Sequence, residues 1–293
     1  MESRDPGTFV VPLPAPHFIE AGAGPGVVCL HANASTSAQW RPLIGHLSPC
    51  YRVLAPDAFG AGSSPAWPVD RAVNLRDEVA LLEPVFAAAG KPFCLVGHSS
   101  GAAVALMAAL ARPDRVRAIA VYEPTLFALL GEAARKRQAA AGIASAVADA
   151  GAALDRHDLD AAGERFIDYW MGAGSWSRMP LARRAAIAGS MTNLRGWARA
   201  LFSEPTPLRA FRALDMPVLY MIGAQSPDSS REVARLLSAA LPHVTLMEFE
   251  ALGHMGPLTH AQLVNEAVTG FLARCEEPRR WIGRRQVAAS LRY

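Results

Sequence analysis

The chain has 293 residues, 51% of them hydrophobic, which suits one large buried core or a core carrying an insertion. A formal net charge of +3 is too weak for a dedicated nucleic-acid binder, which concentrates a strong basic face. Four scattered cysteines (Cys29, Cys50, Cys94 and Cys275) form no C-x-x-C pair and argue against a zinc site or disulfide framework.

In chain order, Met1–Pro16 contains no basic segment followed by an apolar stretch, and no apolar run reaches membrane-spanning length. The expectation is a soluble cytoplasmic protein. Thr8–Val11 and His17–Glu20 read as antiparallel leading strands. Val27–Leu30 and Arg52–Ala55 are short apolar strands, and Leu75–Ala89 has helical periodicity. A strand at Pro92–Val96, an Ala-rich helical pattern at Ala102–Ala111 and a strand at Ala118–Tyr122 follow. This alternation predicts an α/β protein with a mostly parallel sheet covered by helices on both faces.

The rhythm breaks after Pro124. From Thr125 to Leu208 there are only helical patterns and breaks such as Gly172-Ala173-Gly174. Strand character returns at Met216–Ile222, followed by a helix at Ser230–Ala240, a strand at Val244–Phe249 and a helix at Ala261–Ala273. The expected division is a discontinuous core, residues 1–124 and 209–293, around an all-helical insertion, 125–208. The tail Glu276–Tyr293 carries Arg279, Arg280, Arg284 and Arg285 and reads as a solvated terminal segment.

Gly97-His98-Ser99-Ser100-Gly101 lies between a strand and a helix. G-x-S-x-G in that context predicts a nucleophile elbow, where a sharp turn lifts Ser99 above a parallel sheet. A serine hydroxyl needs a base within reach, and the base needs a partner to orient it. His254 is the candidate base, in Leu252-Gly253-His254-Met255-Gly256 directly after the last strand. His17, His46, His157 and His243 lie in polar or loop contexts, and His260 suits the start of the final helix. For the oxyanion, the candidate donors are the backbone N–H groups of Ser100 and Asn33, the latter in the loop after Leu30. His31 and His98 flank the site and are expected to pack beneath it.

These residues resemble the α/β-hydrolase fold superfamily. The resemblance rests on Leu30-His31-Ala32-Asn33, Trp40, Tyr51–Asp57 with Gly60, Gly62 and Ser63, the elbow at Ser99, and Gly253-His254. It covers nearly the whole chain outside the insertion. It implies an eight-stranded, mostly parallel sheet, a helical cap where the insertion stands, cofactor-free Ser–His–acid catalysis and a loop-bracing role for Asp57. The chain departs from the pattern at two points. Ala32 replaces the usual glycine, so the oxyanion loop is expected to bend differently. In Gly223-Ala224-Gln225-Ser226-Pro227-Asp228, Ser226 stands where the superfamily commonly has its aspartate, and Asp228 comes two residues late. Some branches take the acid from the neighbouring strand end, which here is Glu123. Glu123 is the preferred acid and Asp228 the alternative; both preserve the order Ser, acid, His.

The insertion is rich in aromatics: Phe127, Phe166, Tyr169, Trp170, Trp176, Trp197 and Phe202. Trp170 and His31 are the candidate substrate contacts. The expectation is a serine hydrolase acting through an acyl-enzyme on a small carboxylic ester with an apolar or aromatic group. No metal or cofactor, nucleic acid or membrane partner is expected. Alternatives are carbon–carbon bond hydrolysis, perhydrolysis or lyase chemistry in the same scaffold, or a non-catalytic ligand-binding role. Dehalogenation would require a carboxylate where Ser99 stands.

Overall fold

Short apolar runs bounded by turns form seven strands in the computed structural model, which describes residues 15–68, 71–131 and 134–276. The first half of the chain contributes β1 (Phe18–Ala21), β2 (Gly26–Leu30), α1 (Arg41–Leu47), β3 (Arg52–Pro56), α2 (Leu75–Leu81) and α3 (Glu83–Ala89). Next come β4 (Phe93–His98), α4 (Ser100–Ala111) and β5 (Val116–Tyr122). After β5 the chain is helical: α5 (Ala134–Asp155), α6 (Leu159–Met171), α7 (Ser175–Arg178), α8 (Leu181–Ser190) and α9 (Leu194–Phe202). It then returns to β6 (Val218–Gly223), α10 (Asp228–Ala240), β7 (Val244–Phe249), α11 (Gly256–Thr259) and α12 (Ala261–Glu276).

The strands lie in the order β1-β3-β2-β4-β5-β6-β7. β1 runs antiparallel to β3, and the remaining pairs are parallel. The eight strands expected from the resemblance are thus seven among the described residues. The anticipated leading strand at Thr8–Val11 lies outside the described residues, as does the basic tail beyond Glu276.

The period-two side-chain alternation sorts the core into two layers. Leu95 of β4 and Val218, Tyr220 and Ile222 of β6 face a cluster with residues of α2, α3, α4 and α10. Cys94, Val96, Leu219 and Met221 face the opposite cluster, with α1 and α12. Every residue of β4 is buried, as a central parallel strand covered on both faces requires.

The helix expected over Leu75–Ala89 is divided at Leu82, which ends α2 and starts α3. Pro84 explains the break: it has no N–H to give to the preceding turn, and its ring crowds the carbonyl four residues back. Among the described residues no strand interrupts the segment between β5 and β6. Its helices share a small core of their own, including Ile167, Trp176, Ile187 and Trp197. Ile143, Trp170 and Leu201 of the same helices join the main core. The Tyr169 hydroxyl, 2.7 Å from Ser229 Oγ, ties α6 to α10.

Candidate active site

The turn from β4 into α4 places Ser99 at φ 57°, ψ −118°, a left-handed conformation that L-residues rarely adopt. Its N–H donates to Tyr122 O at 2.9 Å, while its carbonyl accepts from Thr125 N–H at 3.3 Å. The elbow is thereby pinned to the end of β5. The glycines on either side have steric reasons. A Cβ at Gly97 would lie 2.6 Å from Ala102 Cα, and one at Gly101 would lie 2.3 Å from Leu30 O.

His254 stands on the loop between β7 and α11, 155 residues from Ser99 in sequence. Its Nε2 lies 3.0 Å from Ser99 Oγ, and its Nδ1 lies 2.7 Å from Glu123 Oε2. A carboxylate only accepts, so Nδ1–H is the donor and Nε2 is free to accept from the serine hydroxyl. All three side chains are buried. The histidine loop is held from beneath, where the Tyr122 hydroxyl donates to Gly253 O at 2.8 Å and His98 Nε2–H donates to His254 O at 2.8 Å.

Glu123 follows β5 directly and is itself left-handed, at φ 47°. Its Oε1 accepts from Gly223 N–H at 2.9 Å and from the Ser226 hydroxyl. Three donors from two segments, the end of β6 with its turn and the His254 loop, therefore converge on this fully buried carboxylate. Asp228 stands apart, exposed in the first turn of α10. The structure brings Ser99, His254 and Glu123 together and leaves Asp228 outside.

The loop after β2 turns left-handed at Ala34, φ 56°, and not at Ala32. Alanine at position 32 therefore meets no left-handed penalty. Ala32 N–H donates to Gln39 Oε1 at 3.1 Å. Asn33, next along, lines the cavity above Ser99. Ser100 opens α4, so its N–H belongs to the unpaired first turn, at the positive end of the helix dipole.

His31, read both as packing beneath the site and as a substrate contact, does not line the cavity above Ser99. Its Nδ1–H donates to Ala32 O at 2.7 Å, and its Nε2 accepts from Ala58 N–H at 3.0 Å. With both ring nitrogens engaged by backbone, it lines a separate cavity of about 40 Å³. Burial holds its pKa below the ordinary imidazole value. Asp57 braces the loops: it accepts from Ser37 N–H (2.7 Å), Ser63 N–H (3.2 Å) and His17 Nδ1 (3.0 Å). Burial opposes its charge, yet these donors hold its carboxyl below the usual carboxylate range.

Above Ser99 is a cavity of about 810 Å³ bounded by the sheet edge on one side and the inserted helices on the other. Phe127, Phe166, Trp170, Trp197 and Phe202 line it, whereas Tyr169 and Trp176 do not. Trp176 is packed over Gly163, with its indole N–H on Asp160. Trp170 both lines the cavity and stacks on the catalytic-candidate imidazole, its ring centroid 3.8 Å from that of His254 with the planes at 25°. Arg183, exposed at the rim, is the one Asp, Glu, Lys or Arg among the described lining residues.

Sequence reasoning missed Gln39 and the link between Ser226 and Glu123. The only sequence signal for the second was a serine where an aspartate is usual. Among the described residues, no group of three or more His, Cys, Asp or Glu side chains could hold a metal ion. No described helix is long and apolar enough to cross a membrane.

A serine on a strained elbow, facing a histidine across a parallel sheet, is the arrangement of the α/β hydrolases. The chain belongs to the alpha/beta hydrolase family, whose profile matches residues 27–267. It is 26% identical over 267 residues to (E)-2-((N-methylformamido)methylene)succinate hydrolase of Acinetobacter baylyi, covering 87% of this chain and 93% of that one. It is 27% identical over 245 residues to pimeloyl-[acyl-carrier protein] methyl ester esterase of Aliivibrio salmonicida, covering 82% and 89% respectively. Among solved structures, MenH from S. aureus superposes with a TM-score of 0.71 at 19% identity, covering 89% of this chain and 98% of that one. That last likeness speaks for the fold alone.

Proposed function

We propose that the protein is a serine hydrolase that cleaves carboxylic esters through an acyl-enzyme. The observation that carries this reading is the continuous chain from Ser99 Oγ through His254 to Glu123, with links of 3.0 Å and 2.7 Å. Ser99 attacks the ester carbonyl as His254 Nε2 takes its proton. Glu123 accepts from Nδ1–H, keeps the ring in the required tautomer and stabilises the imidazolium that forms. The N–H groups of Ser100 and Asn33 receive the oxyanion. His254 then returns the proton to the departing alcohol. Water, activated by the same imidazole, releases the acid and restores Ser99.

The inserted helices act as a cap on a discontinuous core, with 125–208 over 1–124 and 209–293. Their aromatic and aliphatic lining favours an uncharged apolar or aromatic group on the substrate. The esterase name of one relative is consistent with this choice of bond. The test is labelling of Ser99 by a fluorophosphonate together with turnover of p-nitrophenyl esters of increasing acyl length. Labelling and turnover are expected in the native protein and lost in Ser99→Ala. Absence of both from the folded native protein would overturn the reading.

A further inference from the structure

Gln39 belongs to the 3-10 turn Ser37–Trp40, between the loop after β2 and α1. Its carboxamide makes two bonds of opposite sense. Oε1 accepts from Ala32 N–H at 3.1 Å, and Nε2 donates to His98 Nδ1 at 3.1 Å. His98 is fully buried and passes the chain on, its Nε2–H donating to His254 O at 2.8 Å. One run of hydrogen bonds therefore joins the Asn33 loop, the elbow and the histidine loop. His98 precedes the nucleophile, and 156 residues separate it from His254. Burial, with His254 beside it, holds the His98 pKa well below the ordinary imidazole value. A neutral ring has one donor and one acceptor, and both are used here.

An amide suits this place for a simple reason. It offers an acceptor to Ala32 and a donor to His98 at the same time. A carboxylate offers only acceptors, and an aliphatic side chain offers neither.

We propose that Gln39 is a positioning residue for the hydrolysis: it engages the Ala32 N–H, leaving the Asn33 N–H as that loop's oxyanion donor, and through His98 it sets the seat of His254 over Ser99. This rests on the serine-hydrolase reading above. Gln39 borders the cavity above Ser99, but its carboxamide is bonded to Ala32 N–H and His98 Nδ1 and not to Ser99; it acts through the donors and the base. Its removal is expected to weaken the transition state more than the bound ester.

The experiment compares the native protein with Gln39→Leu and Gln39→Glu. The readouts are fluorophosphonate labelling rate, kcat and KM on a p-nitrophenyl ester, and the inhibition constant of a trifluoromethyl ketone, whose adduct carries an oxyanion. In Gln39→Leu, kcat is expected to fall about 10- to 100-fold with KM within about threefold. The ketone is expected to weaken by the same factor as kcat/KM. In Gln39→Glu, the carboxylate faces His98 Nδ1 well only when that nitrogen is protonated. Its kcat is therefore expected to decline on the alkaline side, in a limb that the native protein is expected to lack. Should Gln39→Leu fail to fold, that alkaline limb in Gln39→Glu remains the deciding readout. Native-like kcat, ketone affinity and pH profile in folded variants would overturn the proposal, even if Tm fell. A native protein that neither labels nor turns over esters would instead sink the hydrolase reading.

Discussion

Ser226 donates its hydroxyl to Oε1 of Glu123, and it does so from the position where an aspartate commonly stands in this fold. The two residues meet because β5 and β6 are parallel neighbours with Tyr122 opposite Met221. Glu123 thus comes to lie beside Gly223 and the turn that follows β6, within reach of the Gly223 N–H at 2.9 Å. Here the carboxylate stands at the end of β5 and a hydroxyl stands in the turn after β6.

Glu123→Gln removes the acceptor that holds His254 Nδ1–H and presents an amide that can favour the wrong tautomer. The expected loss in kcat is on the order of a thousandfold or more. Asp228→Asn, on the surface, is expected to stay within about twofold of native. Steady-state kinetics on a p-nitrophenyl ester checks this, and the reverse ranking would reject Glu123 as the acid.

Ser226→Ala leaves Glu123 Oε1 with only the Gly223 N–H. The expected cost is about 1–3 kcal/mol of stability, from the lost hydrogen bond to a buried charge. A several-fold drop in kcat is expected with it. Moving the acid instead, in Glu123→Ser with Ser226→Asp, should restore at least tenfold of the activity lost in Glu123→Ser alone. Denaturant titration and kinetics on the three variants would reveal either outcome.

Trp170 lies face-on to His254 as well as lining the cavity, so under the proposed mechanism it would act on the base as well as on the substrate. An indole face attracts the imidazolium that forms in the transition state, by about 1–2 kcal/mol in a desolvated site. Trp170→Leu is expected to lower kcat/KM about 5- to 30-fold, and by a similar factor for every acyl length tested. A loss confined to one chain length would mean that Trp170 acts only as a substrate contact.

Glu78 is buried beside the small cavity that His31 and Asn33 also line, and Phe59 N–H reaches its Oε2 at 3.3 Å. Burial pushes its pKa from 4.5 up to about 7. Between those values the folded protein keeps a proton that the unfolded chain releases. Its contribution to stability is therefore complete below pH 4.5 and is lost as pH rises to about 7. The loss across that window is up to roughly 3 kcal/mol. Glu78→Gln should flatten this slope and be the more stable protein at pH 8, as measured by denaturant unfolding at pH 5 and pH 8. Equal slopes in both proteins would refute it.

The elbow was legible because its cause is local. Strand, turn and helix occupy adjacent residues from Phe93 to Ala111, and the left-handed serine needs small neighbours within two positions of itself. The alternation of strands and helices was legible for the same reason, since period and length are short-range properties. The division of Leu75–Ala89 turned on Pro84, a signal present in the chain but outvoted by the helical period around it.

Amino-acid order alone determined the α/β layering, the helical stretch after β5, and which serine and histidine could be poised for chemistry. Tertiary structure decided which groups meet. Glu123 and Ser226 are 103 residues apart, and Gln39 and His98 are 59 apart. The register of parallel strands and the closure of three loops over one sheet edge join them. Such contacts depend on angstrom-scale placement of backbones that no local pattern encodes. His31 shows both kinds of cause: its Nδ1 is taken by the carbonyl of its neighbour Ala32, but its Nε2 by Ala58 N–H in the loop after β3, a contact that only the fold supplies.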